Sequence, residues 1–195
     1  IEKKTVLEHI IERVSFSKKI KKIIIATSNN KTDDVIYNKF KNNNKVAVFR
    51  GSLMNVTLRY LKVLKKYPSE NFIRITGDCP LIDYKLIDEL IEIHLKNKND
   101  LTSNAIYPSF PDGLDVEIVK TKALEHSYKL IKYNSDKEHV TTFMENNRSL
   151  FKIENIKNNI DYSYHRWTLD EKEDYELIKI IFKKLYINNN YFGFK

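Results

Sequence analysis

The strongest constraint on this chain is a change of hydrophobic period that repeats along it. Short apolar runs of strand character alternate with longer stretches whose apolar residues recur every three to four positions. Repeated strand–helix–strand units close through right-handed crossovers, so the alternation predicts an α/β architecture with a mostly parallel sheet. The first helix opens on Thr5-Val6-Leu7-Glu8, a capping box, and continues through Ile10, Ile11 and Val14. The pattern then predicts strands over 22–26, 46–49, 71–76, 115–119 and 151–156. It predicts helices over 33–41, 55–66, 83–96, 122–131, 136–146 and 171–185. The buried face of 83–96 reads as Leu86, Ile87, Leu90, Ile91 and Leu95, and that of 171–185 as Leu177, Ile178, Ile181 and Leu185. After 100–104 the rhythm breaks at a turn-rich loop, 107–113. Residues from about 104 to 165 read as an insertion, within one domain over 1–195, that covers a substrate or a partner subunit.

Chemistry concentrates where strands end. The run Arg74-Ile75-Thr76-Gly77-Asp78-Cys79-Pro80 carries a strand into a glycine, one acid, and a proline that delays the next helix. In open α/β sheets that carboxyl edge is where ligands bind. A second strand-like run, Arg166-Trp167-Thr168-Leu169-Asp170, also ends in an acid. Two carboxylates on two strand ends suit Mg²⁺ when water and phosphate supply its other ligands. Each acid taken alone reads first as a turn or helix cap. Two further corners, Thr27-Ser28-Asn29 and Arg50-Gly51-Ser52, are expected at the same edge as Gly77-Asp78, with hydroxyls and amides able to read a base and ribose. Arg50 reads as a phosphate contact or a surface ion pair. Asp112, Asp115 and Glu117 are solvent-facing acids or, beside a cleft, ligands for sugar hydroxyls. Glu138 and His139 read as a helical pair, structural or substrate-binding. His9, His94 and His126 read as packing or surface positions.

Composition narrows the partners. With 42% hydrophobic and 31% charged residues, the chain reads as an ordinary globular protein with enough length for a proper core. The net charge is +8, but 28 lysines accompany only six arginines, alongside 20 asparagines and 24 isoleucines. That is a compositional bias rather than a basic patch, so no nucleic-acid partner is expected. Cys79 is the only cysteine, which rules out an intrachain disulfide. The longest apolar run, Ile23-Ile24-Ile25-Ala26, is far too short for a membrane span, no signal peptide is read at the start, and the expected compartment is the cytoplasm. Four glycines leave no G-x-G-x-x-G turn for a dinucleotide.

The ordered segments LEHIIERV (7–14), IIIATSNN (23–30), VFRGS (48–52), RITGDCPLID (74–83), PDGLDVEI (111–118), KEHVT (137–141) and HRWTLDEKEDYELI (165–178) resemble one known family. It is the spore-coat polysaccharide biosynthesis branch of the cytidylyltransferases, similar to the acylneuraminate and deoxy-octulosonate cytidylyltransferases. The resemblance implies a three-layer nucleotide-diphospho-sugar transferase fold, Rossmann-like, and transfer of a cytidylyl group from CTP to a sugar. It implies Asp78 and Asp170 as the catalytic, metal-binding pair for Mg²⁺. It implies Thr27, Ser28, Arg50, Gly51 and Gly77 near the nucleotide, and Asp112, Asp115, Glu117, Glu138 and His139 on the sugar side. A homodimer is a further implication.

Members of that family open with a strand and an Arg/Gly/Ser/Thr/Lys-rich loop that wraps the triphosphate. Ile1 falls where that segment ends, so the expectation is a fold with its first strand absent and a chain inactive as given. The family also carries acids after the Arg-Gly-Ser corner, where this chain has Leu53, Met54 and Asn55. Two alternatives stay open: a nucleotidyltransferase using another NTP, and a non-catalytic nucleotide-sugar-binding module.

Overall fold

The computed structural model describes residues 1–186 and 191–194. Six strands and eight α-helices follow one another along these residues, and every predicted strand and helix has one counterpart except the helix over 136–146 and the strand-like run 166–170. Helix α1 (Val6–Val14) starts at the expected capping box, with the Glu8 carboxylate accepting the Thr5 N–H at 2.8 Å. Strand β1 (Ile23–Ser28) leads to α2 (Asp34–Phe40) and then to β2 (Val46–Gly51). The two strands pair in parallel from Ile23–Val46 to Ser28–Gly51, as a strand–helix–strand unit requires. Helix α3 (Val56–Lys66) begins at Asn55, whose side chain accepts the Leu58 N–H at 2.8 Å.

The remaining strands form a four-stranded sheet in the order β3–β5–β4–β6. These are β3 (Asn71–Arg74), β4 (Leu101–Ser103), β5 (Glu117–Lys120) and β6 (Ile153–Asn155). Strands β4 and β6 are parallel, whereas β5 runs against both neighbours. The reversal is local in origin. Strand β5 follows β4 through the Pro-Gly loop with no crossover helix, so it returns in the opposite sense.

Successive residues of β5 face opposite layers. Ile118 joins the core made by α1, α4 (Tyr84–Asn97) and α8 (Lys172–Leu185). Val119 joins a second core with Leu64 of α3, Leu124 of α5 (Thr121–Leu130) and Met144 of α7 (Thr142–Asn146). The result is helices on both faces of a sheet. A smaller cluster, Ile11, Ile25, Phe40 and Val46, lies against β1 and β2, and Ile23 touches both it and the first core.

Four sequence expectations need correction. On α4 the buried stripe is Leu86, Ile87, Leu90 and His94, while Leu95 is 55% exposed. The spacing 87–90–94 keeps to one helical face, and His94 fills the last place by bonding Thr102 at 3.0 Å and Asn71 at 3.1 Å. On α8 the inward stripe is Asp174, Ile178 and Phe182, and Leu177 and Leu185 point outward. The helix expected over 136–146 is two, α6 (Asn134–Glu138) and α7. Val140 is fully buried between them, and the Thr141 hydroxyl donates to Glu117 at 2.6 Å, so the chain leaves helical geometry to seat both. The run 166–170 is not a strand but irregular chain with a single bridge to Asp112.

His9 and Arg13 of α1 are buried outright. Arg13 donates to the carbonyls of Ile82 (2.7 Å), Leu81 (3.1 Å) and Phe192 (2.8 Å), tying α1 to the corner that precedes α4. Among the described residues no helix is long and apolar enough to cross a membrane. Ile87 is fully buried in the main core. Ile87→Ala is expected to lower the unfolding free energy by about 2–5 kcal/mol, read as a fall in urea midpoint at unchanged m-value.

Candidate active site

After β3 the chain turns sharply through Thr76-Gly77-Asp78-Cys79-Pro80. The Thr76 hydroxyl lies 3.1 Å from the Cys79 sulfur, and the Ile82 N–H closes the turn on the Cys79 carbonyl at 3.2 Å. Burial pushes the Cys79 thiol pKa far up, so it packs rather than reacts.

The Asp78 carbonyl accepts the Leu169 N–H at 2.9 Å, which fixes Asp170 one residue away from that contact. Asp112 clasps the same segment from the other side. Its N–H donates to His165 at 3.0 Å, and its carbonyl accepts the Trp167 N–H at 2.7 Å. The two Asp112 bonds make a single parallel bridge to Arg166, and the pairing goes no further because the Leu169 N–H turns to Asp78 instead. Gly113 makes the clasp possible. Its φ is +100°, and a Cβ there would sit 2.5 Å from Trp167 C and Thr168 N.

A cavity of about 260 Å³ opens between these loops, lined by Arg74, Thr76, Asp78, Cys79, Ala105, Asp112, Asp115, Glu117, Thr168 and Asp170. Arg74 and Glu117 face each other across the β3–β5 ladder and form an ion pair, while the other Glu117 oxygen accepts from Thr141. Arg166 organises the opposite wall. Its Nε and Nη2 donate to the two Asp174 oxygens at 2.9 Å each, Nη2 also reaches Asp170 at 2.8 Å, and Nη1 lies 3.4 Å from Asp112. Asp174 further accepts the N–H groups of Asp170 (3.0 Å) and Glu171 (2.9 Å) at the start of α8. The Arg166 guanidinium, then those backbone donors, hold its carboxyl well below the usual carboxylate range.

Asp115 is different. It is half-buried, and among the described residues it has neither a hydrogen bond nor an ion pair. Burial first, and then the charges of Asp112, Glu117 and Asp78, push its pKa up to about 6.

The donor chemistry around Asp78 and Asp170 is hard oxygen. Among the described residues the Asp78 carboxylate has one hydrogen-bond partner, the Cys79 thiol at 3.5 Å, and Asp170 keeps Arg166 on one oxygen. Among the described residues no cluster of three or more His, Cys, Asp or Glu could hold a metal unaided. Two carboxylates lining one cavity fit a divalent ion whose other ligands arrive with a phosphate-bearing substrate.

Of the residues singled out in the sequence, Asp78, Asp170, Asp112, Asp115 and Glu117 meet in this cavity. Gly77 is in the same turn, with open space where a Cβ would point. Thr27, Ser28, Arg50 and Gly51 form a separate corner at the ends of β1 and β2 and do not line the cavity. There, Thr27 and the Ser28 N–H donate to Asp33, at 2.9 and 3.0 Å. Arg50 donates to Ser28 (2.9 Å) and Asn30 (2.8 Å) and pairs with Asp34 at 2.6 Å. Glu138 and His139 are exposed at the end of α6, and Thr141, two residues on, is what reaches the site. Sequence reasoning missed Arg74, Thr141, Arg166 and Asp174. Only Asp174 left a readable sign, as the acid at the third position of a helix that begins after Glu171.

Solved structures agree on the fold. A cytidylyltransferase from Leptospira borgpetersenii superposes with a TM-score of 0.92 at 32% identity, covering 98% of this chain and 80% of that one. A CMP:2-keto-3-deoxy-manno-octonic acid synthetase complexed with CTP superposes at 0.65 with 11% identity, over 93% of this chain and 88% of that one. The chain belongs to the cytidylyltransferase family, whose model matches residues 1–189. It is 31% identical over 188 residues to the spore coat polysaccharide biosynthesis protein SpsF of Bacillus subtilis, over 92% of this chain and 75% of that one. It is 39% identical over 150 residues to an uncharacterized protein of Methanocaldococcus jannaschii, over 76% of this chain, and that match spans 59% of the relative's length.

Two outcomes are expected of substitutions here. Gly113→Ala should cost about 1–3 kcal/mol of stability in denaturant melts, because it combines a left-handed backbone with a backbone clash. Asp115→Asn should act oppositely and depend on pH. The folded protein holds the Asp115 proton up to about pH 6, while the unfolded chain releases it near pH ~4. Stability therefore falls as pH rises through that window and does not recover above it. The Asn variant is expected to be the more stable protein at pH 7, with the difference vanishing at about pH 4, as read from urea midpoints.

Proposed function

We propose that the protein transfers a cytidylyl group from CTP to a sugar, releasing pyrophosphate, and so activates the sugar for a surface polysaccharide or glycoconjugate. The observation that carries this reading is the Leu169–Asp78 backbone bond, which brings Asp78 and Asp170 to one cavity in a chain of the cytidylyltransferase family. SpsF, by its name a spore coat polysaccharide biosynthesis protein, supports the biosynthetic context.

In this reading a hydroxyl oxygen of the sugar attacks the α-phosphorus in line. The new O–P bond forms as the bond to the β-phosphate bridge breaks, pyrophosphate departs, and the hydroxyl proton passes to solvent. Asp78 and Asp170 would hold Mg²⁺, which when bound would supply neutralisation of phosphate charge. Arg166 fixes Asp170 in place by its direct bond and by its hold on Asp174. Asp112, Asp115 and Glu117 face the acceptor. The corner of Thr27, Ser28, Arg50 and Gly51 serves the nucleotide, and a homodimer is the proposed assembly.

Pyrophosphate release by the intact protein with CTP, UTP and GTP tests the reading. CTP with Mg²⁺ is expected to support turnover best. Asp78→Asn is expected to lose about a hundredfold or more in rate with its melting temperature little changed. An Asp78→Asn protein as active as the parent would sink the assignment. Binding of CTP with no turnover would leave a nucleotide-sugar-binding module instead.

A further inference from the structure

A second, larger cavity takes no part in the reaction proposed above. Its volume is about 500 Å³, and Asn158, Asn159, Tyr162, His165, Trp167 and Phe194 line it. The segment 165–167 runs between the two cavities. Arg166 turns to Asp112, Asp170 and Asp174 on one side, while its neighbours His165 and Trp167 line the other, as alternation along extended chain places them.

The aromatic rings make a stepped platform with a wall. Tyr162 and His165 are inclined by 31° with ring centres 6.1 Å apart, and His165 and Trp167 by 28° at 5.9 Å. Phe194 stands edge-on to that series, at 82° to Tyr162 and 67° to Trp167. The polar tips of these side chains are unclaimed. Among the described residues the Tyr162 hydroxyl, the Trp167 indole N–H, the His165 ring nitrogens and the Asn159 amide have no hydrogen-bond partner, and none of them is shut away from water. Among the described residues, too, no Asp, Glu, Lys or Arg lines this cavity.

We infer that the cavity is a second saccharide site, separate from the site of transfer, and that it takes a pyranose ring. Such a ring presents a flat face of C–H groups and an edge of hydroxyls that both donate and accept. The platform matches the face. The unclaimed tips match the edge, because the indole N–H donates while amide, phenol and imidazole can serve either role. The size agrees, since small-molecule pockets run from about 300 to 1,000 Å³. A free nucleotide fits poorly, because its phosphates would meet no cationic partner among the lining residues.

Trp167 is the only tryptophan of the chain, so its emission reports on this cavity directly. The intact protein is titrated with methyl glucoside, maltotriose and glycerol, without CTP or metal, so the outcome is independent of the transfer reaction. Methyl glucoside is expected to shift the emission saturably, with a half-point on the order of 1 mM for a ligand of about thirteen heavy atoms. Maltotriose is expected to do the same, more tightly if a saccharide chain is the natural occupant and equally if a single ring is. Glycerol, which has hydroxyls but no ring face, is expected to leave the emission unchanged. Tyr162→Ala is expected to raise the half-point at least about fivefold. Asn159→Ala, at an exposed position that the fold does not depend on, is expected to raise it about threefold. No saturable change below about 100 mM overturns the inference. So does a half-point that neither variant moves, or a response to glycerol equal to that of the saccharides. An emission that varies with protein concentration in the absence of sugar overturns it as well, and would mark the cavity as a contact between copies of the chain.

Discussion

The structure depends on one backbone hydrogen bond, from the Leu169 N–H to the Asp78 carbonyl. It joins two segments far apart in sequence and gives two acids a common cavity. The bond is not isolated. Asp112 clasps the same segment through two more backbone bonds, and Gly113 permits the close approach that this requires. Arg166 then spans Asp112, Asp170 and Asp174 with charge-assisted bonds. Three loops are thereby fixed to one another without forming a sheet. Such an arrangement can place carboxylates more exactly than freely hydrated loops, because each loop's polar groups are already satisfied.

Behind the loops, the packing explains why the corner stays put. Arg13 reaches through the core to the carbonyls of Leu81 and Ile82, immediately after the Asp78 turn. Its third bond, to Phe192, and the bonds that Tyr191 and Phe194 make to Asp83 draw the end of the described chain onto the same corner. Burying a guanidinium is costly, and three carbonyl acceptors offset much of that cost. The turn that carries Asp78 is therefore gripped from the helix before it and from the segment after α8.

Much of this was legible in the sequence, and the failures have physical causes. Local signals did well: the Thr5–Glu8 capping box, Asn55 and Asp83 before their helices, and the alternation of strand and helix all fall where expected. The acids that line the cavity were visible too, because a turn after a strand and a Pro-Asp-Gly loop are local features. What failed needed three-dimensional register. Arg74 pairs with Glu117 because β3 and β5 are antiparallel, which neither segment reveals alone. The run 166–170 has strand composition, yet its N–H groups are taken by Asp112 and Asp78. His94 displaced Leu95 from the core because its ring could bond both Thr102 and Asn71, a gain that hydrophobic counting cannot register.

The most direct measurement is a crystal structure of the intact protein with Mg²⁺ and a non-hydrolysable CTP analogue. The account predicts that Asp78 and Asp170 would hold the ion with the nucleotide's α-phosphate in the same cavity. An ion bound away from that pair, or a nucleotide seated with its α-phosphate outside this cavity, would contradict it.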